Sequence, residues 1–291
     1  EEWEETFSDK YLEPEFRDRR PVVVETGENE RDYKWNIEGE LFRIGGSPSS
    51  KDGVVSLEYE KMSKWRGSHE SGEFHSAADR LQVMDEEDTL ISVNYPTLLL
   101  QWPIAKDPKL NQALTRAYNN WVCDISSQAP DRLKWVTVIC PSDPEEAARE
   151  MRRTKKMGSV GVMVLGEYNE KGLDHPDFEV IWQTANDIGM PVNVHPGTGA
   201  LKAWEDYPSV AADQFLMSVV RGFKTICSSG IFDRYPDVTV SFLETGCTWV
   251  DFAIEVMDFT LDTIRERIKH DALRAEHMPI IERGLPKMTP E

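Results

Sequence analysis

From about residue 79 onward, apolar residues come in short continuous runs separated by stretches with helical spacing. The runs Leu90-Ile91-Ser92-Val93-Asn94-Tyr95, Trp135-Val136-Thr137-Val138-Ile139-Cys140, Val160-Gly161-Val162-Met163-Val164-Leu165, Pro191-Val192-Asn193-Val194-His195 and Val238-Thr239-Val240-Ser241-Phe242-Leu243-Glu244 predict five strands. Between them, Leu110, Leu114, Ala117, Tyr118, Trp121 and Val122 recur at three and four residues and predict a helix from Pro108 to Ser127. Further helices are expected from Ser142-Asp143-Pro144-Glu145-Glu146 onward, over 177–188, over 210–228 and from Trp249 on. Strands apolar at nearly every position are buried on both faces, which argues a parallel sheet covered by helices, an α/β fold. The pattern alone does not separate an open doubly wound sheet from a barrel.

The first 79 residues are more polar. Pro21-Val22-Val23-Val24-Glu25, Tyr33-Lys34-Trp35-Asn36-Ile37 and Leu41-Phe42-Arg43-Ile44 alternate with turn-rich segments and predict a small antiparallel meander. Gly, Ser, Lys and Glu dominate 45–72, the composition of a long exposed loop. The expected organisation is an N-terminal meander with a polar insertion over 1–79 and a catalytic barrel portion over 80–291.

Charge narrows the partners. A formal net charge of -19 argues against nucleic acid, which is bound by surplus Lys and Arg. No apolar run reaches the roughly 20 residues of a membrane span. The acidic start Glu1-Glu2-Trp3-Glu4-Glu5 resembles no signal peptide, and Cys123, Cys140, Cys227 and Cys247 lack paired spacing. They read as buried free thiols of a cytoplasmic protein.

His195 is the leading candidate for chemistry. It ends an apolar strand and precedes Pro196-Gly197-Thr198-Gly199, and ligands of α/β folds gather at the carboxyl ends of strands. A neutral imidazole there can bind zinc, iron or manganese; equally, it can be a strand-end histidine bonded to a loop. Glu244 ends the next run, where a carboxylate can be a metal ligand, a general base or an acceptor for another ligand. The competing reading is an acid satisfied by the first N–H groups of a helix. Tyr95, Gly197, Thr198 and Trp249 are the expected lining of a substrate pocket, with Trp102, Trp182 and Trp204 as core or pocket wall. Asp174 and Asp143 read as helix caps, His175 as a neighbour of such a cap, and His69, His75, His270 and His277 as surface residues. The chain has no G-x-S-x-G elbow, phosphate loop or dinucleotide fingerprint.

Several blocks in order resemble the amidohydrolase-2 family, which includes aminocarboxymuconate-semialdehyde decarboxylase. They are Ala117-Tyr118-Asn119-Asn120-Trp121, Ala129-Pro130-Asp131-Arg132-Leu133, Asp143-Pro144-Glu145-Glu146-Ala147-Ala148, Val192-Asn193-Val194-His195-Pro196-Gly197, Gly230-Ile231-Phe232-Asp233-Arg234-Tyr235-Pro236-Asp237 and Phe242-Leu243-Glu244-Thr245-Gly246-Cys247-Thr248-Trp249. The resemblance implies a distorted (β/α)8 TIM-like barrel with one divalent metal, zinc first and manganese or iron next, and His195 as the ligand after the fifth strand. By its register the chain holds strands two to six. The family's paired N-terminal metal ligands and its aspartate of the eighth strand have no counterpart here. Omitted segments or a second polypeptide are therefore expected to complete the barrel, alongside the expectation of a homo-oligomer. Pro21–Glu25 is the other candidate for a first strand, but it carries no histidine.

Position 244 matches a site where the family's decarboxylases carry a histidine acid or base, and here it is glutamate. That departure favours hydrolysis of a small organic substrate by metal-activated water. The alternatives are non-oxidative decarboxylation at the same metal, and a non-catalytic or split-site subunit.

Overall fold

The computed structural model describes residues 4–25, 33–43, 76–100, 103–169, 171–197 and 208–269. The N-terminal meander forms as expected: β1 (Val22–Glu25), β2 (Tyr33–Ile37) and β3 (Glu40–Arg43) make an antiparallel sheet. Strand β1 pairs with β2 and so is not a barrel strand. Trp35 and Ile37 of β2, with Phe7, Leu12 and Phe16 before it, join the same hydrophobic core as the barrel helices. The predicted loop over 45–72 lies outside the described residues.

A helix not read from periodicity, α1 (Ala77–Glu86), precedes the first barrel strand. Its signal was present as Ser76-Ala77-Ala78-Asp79. The Ser76 hydroxyl oxygen accepts from the Asp79 backbone N–H at 3.1 Å, and its O–H donates to the Asp79 carboxylate at 2.7 Å.

The five predicted barrel strands are all present: β4 (Ser92–Asn94), β5 (Leu133–Val138), β6 (Gly161–Leu165), β9 (Val192–His195) and β10 (Val240–Phe242), with a small hairpin of β7 (Glu167–Tyr168) and β8 (Lys171–Gly172) after β6. They pair in parallel in the order β10-β9-β6-β5-β4, which is their order along the chain. A doubly wound sheet reverses its strand order at a switch point, whereas a barrel keeps winding one way. The sheet is thus a five-stranded portion of a (β/α) barrel. Helices α2 (Pro108–Ser126), α3 (Pro144–Lys156), α4 (Glu179–Ile188), α5 (Pro208–Ser228), the short α6 (Ile231–Arg234) and α7 (Val250–Lys269) make the connections and outer layer.

Local chemistry explains the boundaries. Asp107 and Asp143 cap α2 and α3, each followed by a proline whose missing N–H costs nothing in a first turn. Helix α5 lies close to the sheet because Gly166 has no side chain; a Cβ there would fall 1.8 Å from the Ser218 carbonyl oxygen.

One apolar run behaves differently from its reading. Leu90 and Ile91 precede β4 rather than belonging to it, and they are 81% and 57% exposed. Among the described residues β4 is an edge of the sheet and β10 the other, so apolar residues along that edge have no neighbouring strand to cover them. Phe252 and Phe259, on α7 just after β10, are likewise exposed.

Candidate active site

Strand β9 delivers His195 to the carboxyl end of the sheet. All four of its residues are buried, and His195 lies opposite Leu165 of β6. The imidazole is 4% exposed. Its Nδ1 sits 2.7 Å from the Pro196 carbonyl oxygen. A carbonyl only accepts, so Nδ1 carries the proton, and in the neutral ring Nε2 keeps its lone pair. That nitrogen faces Oε1 of Glu244 at 3.6 Å. An ionised carboxylate also offers only lone pairs, so the two atoms repel unless a proton or a metal cation lies between them.

Glu244 reaches this position by leaving the strand. Phe242 pairs with Val194, so one further step would place Leu243, not Glu244, beside His195. The strand ends at Phe242, and Glu244 takes a left-handed backbone (φ 58°), rare for a residue with a side chain. The turn redirects the carboxylate, 55% exposed, back toward the imidazole. The structure places the Glu244 carboxylate beside the imidazole of His195.

Tyr95 follows β4, at the far edge of the sheet. Strands β5 and β6 stand between β4 and β9, which on a flat sheet would separate the two backbones by about 14 Å. The Tyr95 and His195 rings nevertheless lie 5.8 Å apart, tilted by 38°. The sheet is therefore curled, and the two side chains meet across its concave carboxyl end. Burial alone pushes the Tyr95 hydroxyl above its usual range.

The other predicted site residues are placed differently. Gly197 is not open space for substrate: a Cβ there would stand 2.7 Å from the Leu100 carbonyl oxygen and 2.5 Å from a Leu165 methyl group, so the glycine serves close packing beneath His195. Trp249 donates its indole N–H to the Thr245 carbonyl at 3.0 Å and packs edge-on against Phe223, 5.2 Å away, bracing the turn that carries Glu244. Trp182 is core, bonded to the Leu173 carbonyl. Thr198, Trp102, Trp204, His69, His75, His270 and His277 lie outside the described residues.

Asp143 caps its helix as expected, whereas His175, expected only beside a cap, itself caps the turn at Pro176. Asp174 does not cap the helical turn at Pro176, because His175 fills that place; it lines a cavity of about 240 Å³ between α5 and α7 instead. Of the cysteines, only Cys140 is buried, while Cys123 and Cys227 are half-buried and Cys247 is exposed, since helix and turn positions leave their sulfurs at the rim of the core. Burial raises the thiol pKa of Cys123 and Cys140, and that of Cys227 to about 11. No helix among the described residues is long and apolar enough to cross a membrane.

As metal donors, His195 Nε2 and a Glu244 oxygen suit a divalent ion, and the opposed lone pairs are what a bound cation would relieve. A catalytic site generally uses about three protein ligands, and among the described residues no three His, Cys, Asp or Glu side chains cluster. The pair fits part of a metal site.

The blocks that carry the family resemblance mostly hold the scaffold. Asn119 of α2 donates to the Val138 carbonyl (2.9 Å) and to Glu150 Oε1 (2.7 Å) and accepts from the Val138 N–H (3.0 Å), pinning α2 to the end of β5. Arg132 donates to Asp85 and to the carbonyls of Thr89 and Leu90, joining the starts of β4 and β5. Arg234 and Tyr235 both donate to Glu179 at the start of α4.

The amidohydrolase family model matches residues 100–274, more than half of the chain. Among curated proteins, a gamma-resorcylate decarboxylase of Polaromonas is 27% identical over 55% of this chain and 53% of its own length. A 2-amino-3-carboxymuconate-6-semialdehyde decarboxylase of Dictyostelium discoideum is 24% identical over 57% and 47%. The chain thus spans about half the length of the curated relatives it matches. Among solved structures, an amidohydrolase from Mycobacterium avium subsp. paratuberculosis superposes with a TM-score of 0.68 at 17% identity, covering 91% of this chain and 75% of that one. A 5-carboxyvanillate decarboxylase from Novosphingobium aromaticivorans, in complex with manganese and 4-hydroxy-3-methoxy-5-nitrobenzoic acid, superposes with a TM-score of 0.58 at 18% identity, covering 78% and 61%. By its barrel strands, by their order and by this match over most of its length, the chain belongs to the amidohydrolase family.

Proposed function

We propose that this chain forms part of a metal-dependent, non-oxidative decarboxylase of small unsaturated or aromatic carboxylic acids. The observation that carries the reading is the His195–Glu244 pair at the carboxyl end of the sheet, in a chain whose curated relatives include decarboxylases of such acids. These relatives favour decarboxylation over the hydrolysis that glutamate at position 244 first suggested.

His195 would hold a divalent ion through Nε2, its orientation fixed by the Pro196 carbonyl, with Glu244 as a second donor or as proton carrier. The ion supplies a Lewis acid for the acidic oxygens of the substrate. Loss of carbon dioxide breaks the bond from carboxylate to ring carbon and leaves the electron pair on that carbon. A proton must then be delivered there, and the accessible carboxyl group of Glu244, in its protonated form, is the group within reach. The remaining ligands come from residues beyond those described or from a second chain. The open edges at β4 and β10, with exposed Leu90, Ile91, Phe252 and Phe259, are where such a complement would pack.

Hydrolysis remains the second reading because the same carboxylate beside the same ion suits a general base for water. The test is a reaction of the whole protein, loaded in turn with Mn²⁺, Zn²⁺ or Fe²⁺, with hydroxybenzoates in D₂O. Decarboxylation releases carbon dioxide and leaves deuterium on the vacated carbon. No carbon dioxide from any acid, together with ¹⁸O uptake from labelled water into a hydrolysed lactone or amide, would establish the second reading instead.

A further inference from the structure

Helices α5 and α7 pack together in the outer layer, but they do not close on one another. Met257, Leu261 and Ile264 of α7 are each at most 3% exposed, yet a cavity of about 240 Å³ remains beside them. Close-packed proteins leave few voids larger than a water molecule. The wall supplied by α5 is polar, with Lys224, Thr225 and Ser228, followed by Ser229, and Asp174 enters from the loop after β8. A Cβ placed on Gly172 would stand 2.9 Å from Asp174 Oδ1 and 3.1 Å from Thr225 Cγ2, which puts the Asp174 carboxylate beside Thr225. Among the described residues the Lys224 ammonium makes no ion pair or hydrogen bond, although Asp174 lines the same cavity. The cavity thus holds two opposite charges that do not meet. The hydroxyls of Ser228, Ser229 and Thr260 donate to the carbonyls of Lys224, Ile226 and Val256. Each has a single hydrogen, so what remains for a ligand is lone pairs.

We propose that this cavity is a second binding site, separate from His195 and Glu244, for a small zwitterion with an apolar side chain, the chemistry of an aliphatic α-amino acid. Its carboxylate pairs with Lys224. Its ammonium brings the donors that Asp174 and the committed hydroxyls require, and its side chain lies against Met257, Leu261 and Ile264. An anion alone would leave Asp174 and the hydroxyl lone pairs facing no donor, and a cation alone would leave Lys224 unpaired. The volume falls below that of sites for drug-sized ligands, which suits one such molecule. No residue lining the cavity takes part in the proposed decarboxylation, so the two readings stand or fall independently.

Calorimetry on the whole protein, with leucine as the probe, tests the site. Leucine is expected to bind. 4-Methylpentanoate and 3-methylbutylamine, each lacking one of its charged groups, are expected to bind about tenfold more weakly, the worth of a hydrogen bond to a charged group. Glycine, which keeps both charges but has no side chain for the apolar wall, is also expected to bind more weakly. Lys224→Met should remove the preference for leucine over 3-methylbutylamine, and Asp174→Asn the preference over 4-methylpentanoate, with circular dichroism as the control on folding. His195→Ala should leave leucine binding unchanged. Failure of leucine to bind, equal binding of leucine and its two analogues, or leucine affinity unaltered by Lys224→Met overturns the proposal. So does loss of leucine binding in His195→Ala, which would place the ligand at the strand ends instead.

Discussion

His195 Nε2 faces Glu244 Oε1 at 3.6 Å, one residue buried at the end of β9 and the other held by a left-handed turn after β10. Because His195 Nδ1 is committed to the Pro196 carbonyl, the imidazole has a single free nitrogen, and it points at an acceptor. This arrangement favours a positive charge between the two groups.

Replacing His195 by alanine should therefore lower metal content before it disturbs the fold. Loss of second-sphere partners alone weakens metal binding by about 10–100-fold, so removal of a direct donor should weaken it by about 100-fold or more. Metal analysis after dialysis, with circular dichroism as the control, reads the effect. Wild-type metal occupancy in His195→Ala would remove His195 from the ligand set.

Glu244→Gly should separate stability from function. A side chain in the left-handed region costs about 1 kcal/mol relative to glycine, so the variant should unfold at higher denaturant concentration. It should also lose activity by about 100-fold or more, as expected for a proton-transfer group. Denaturant titration and carbon dioxide release measure the two sides, and a destabilised variant would mean that the turn is not strained.

At Gly197 the expectation is opposite. A methyl group there meets the Leu100 carbonyl and Leu165, and overpacking of this kind costs about 1–3 kcal/mol. Gly197→Ala should lower the unfolding midpoint and, by shifting the backbone after His195, weaken metal binding. Unchanged stability would show that Leu100 and Leu165 yield without cost.

The cysteines should differ in reactivity. Cys247 is exposed, whereas Cys140 is buried and the thiol pKa of Cys227 is raised to about 11. With a thiol reagent at pH 8 one fast-reacting group is expected, mapped by mass spectrometry to Cys247. Labelling of Cys227 should accelerate as pH approaches 11, because the thiolate is the reactive form. Rapid labelling of Cys227 at pH 8 would contradict that shift.

Removing the Asn119 side chain should loosen the scaffold rather than the chemistry. Its amide serves both backbone groups of Val138 and Glu150. Asn119→Ala takes the side-chain partner from both Val138 backbone groups, while Glu150 keeps Arg153, at a cost of about 1–3 kcal/mol, read from the unfolding midpoint.

The alternation of five apolar runs with helical spacing was enough to determine the barrel strands, the long helices that follow them and the parallel α/β class, because burial on both faces leaves a local mark at every position. His195 was legible for a similar reason: a polar residue closing an apolar strand stands out. The tertiary structure alone decided what depends on distant partners. The sequential strand order that separates a barrel from an open sheet is one such feature. The exposure of Leu90 and Ile91, which follows from their place at a sheet edge, is another. So is the approach of Tyr95 to His195, since curvature is a property of five strands together. Glu244 shows the limit most directly: its residue type suggested chemistry, but strand alternation would have turned it away from His195. Only the reversal of its backbone, invisible in the pattern of side chains, brings its carboxylate to the imidazole.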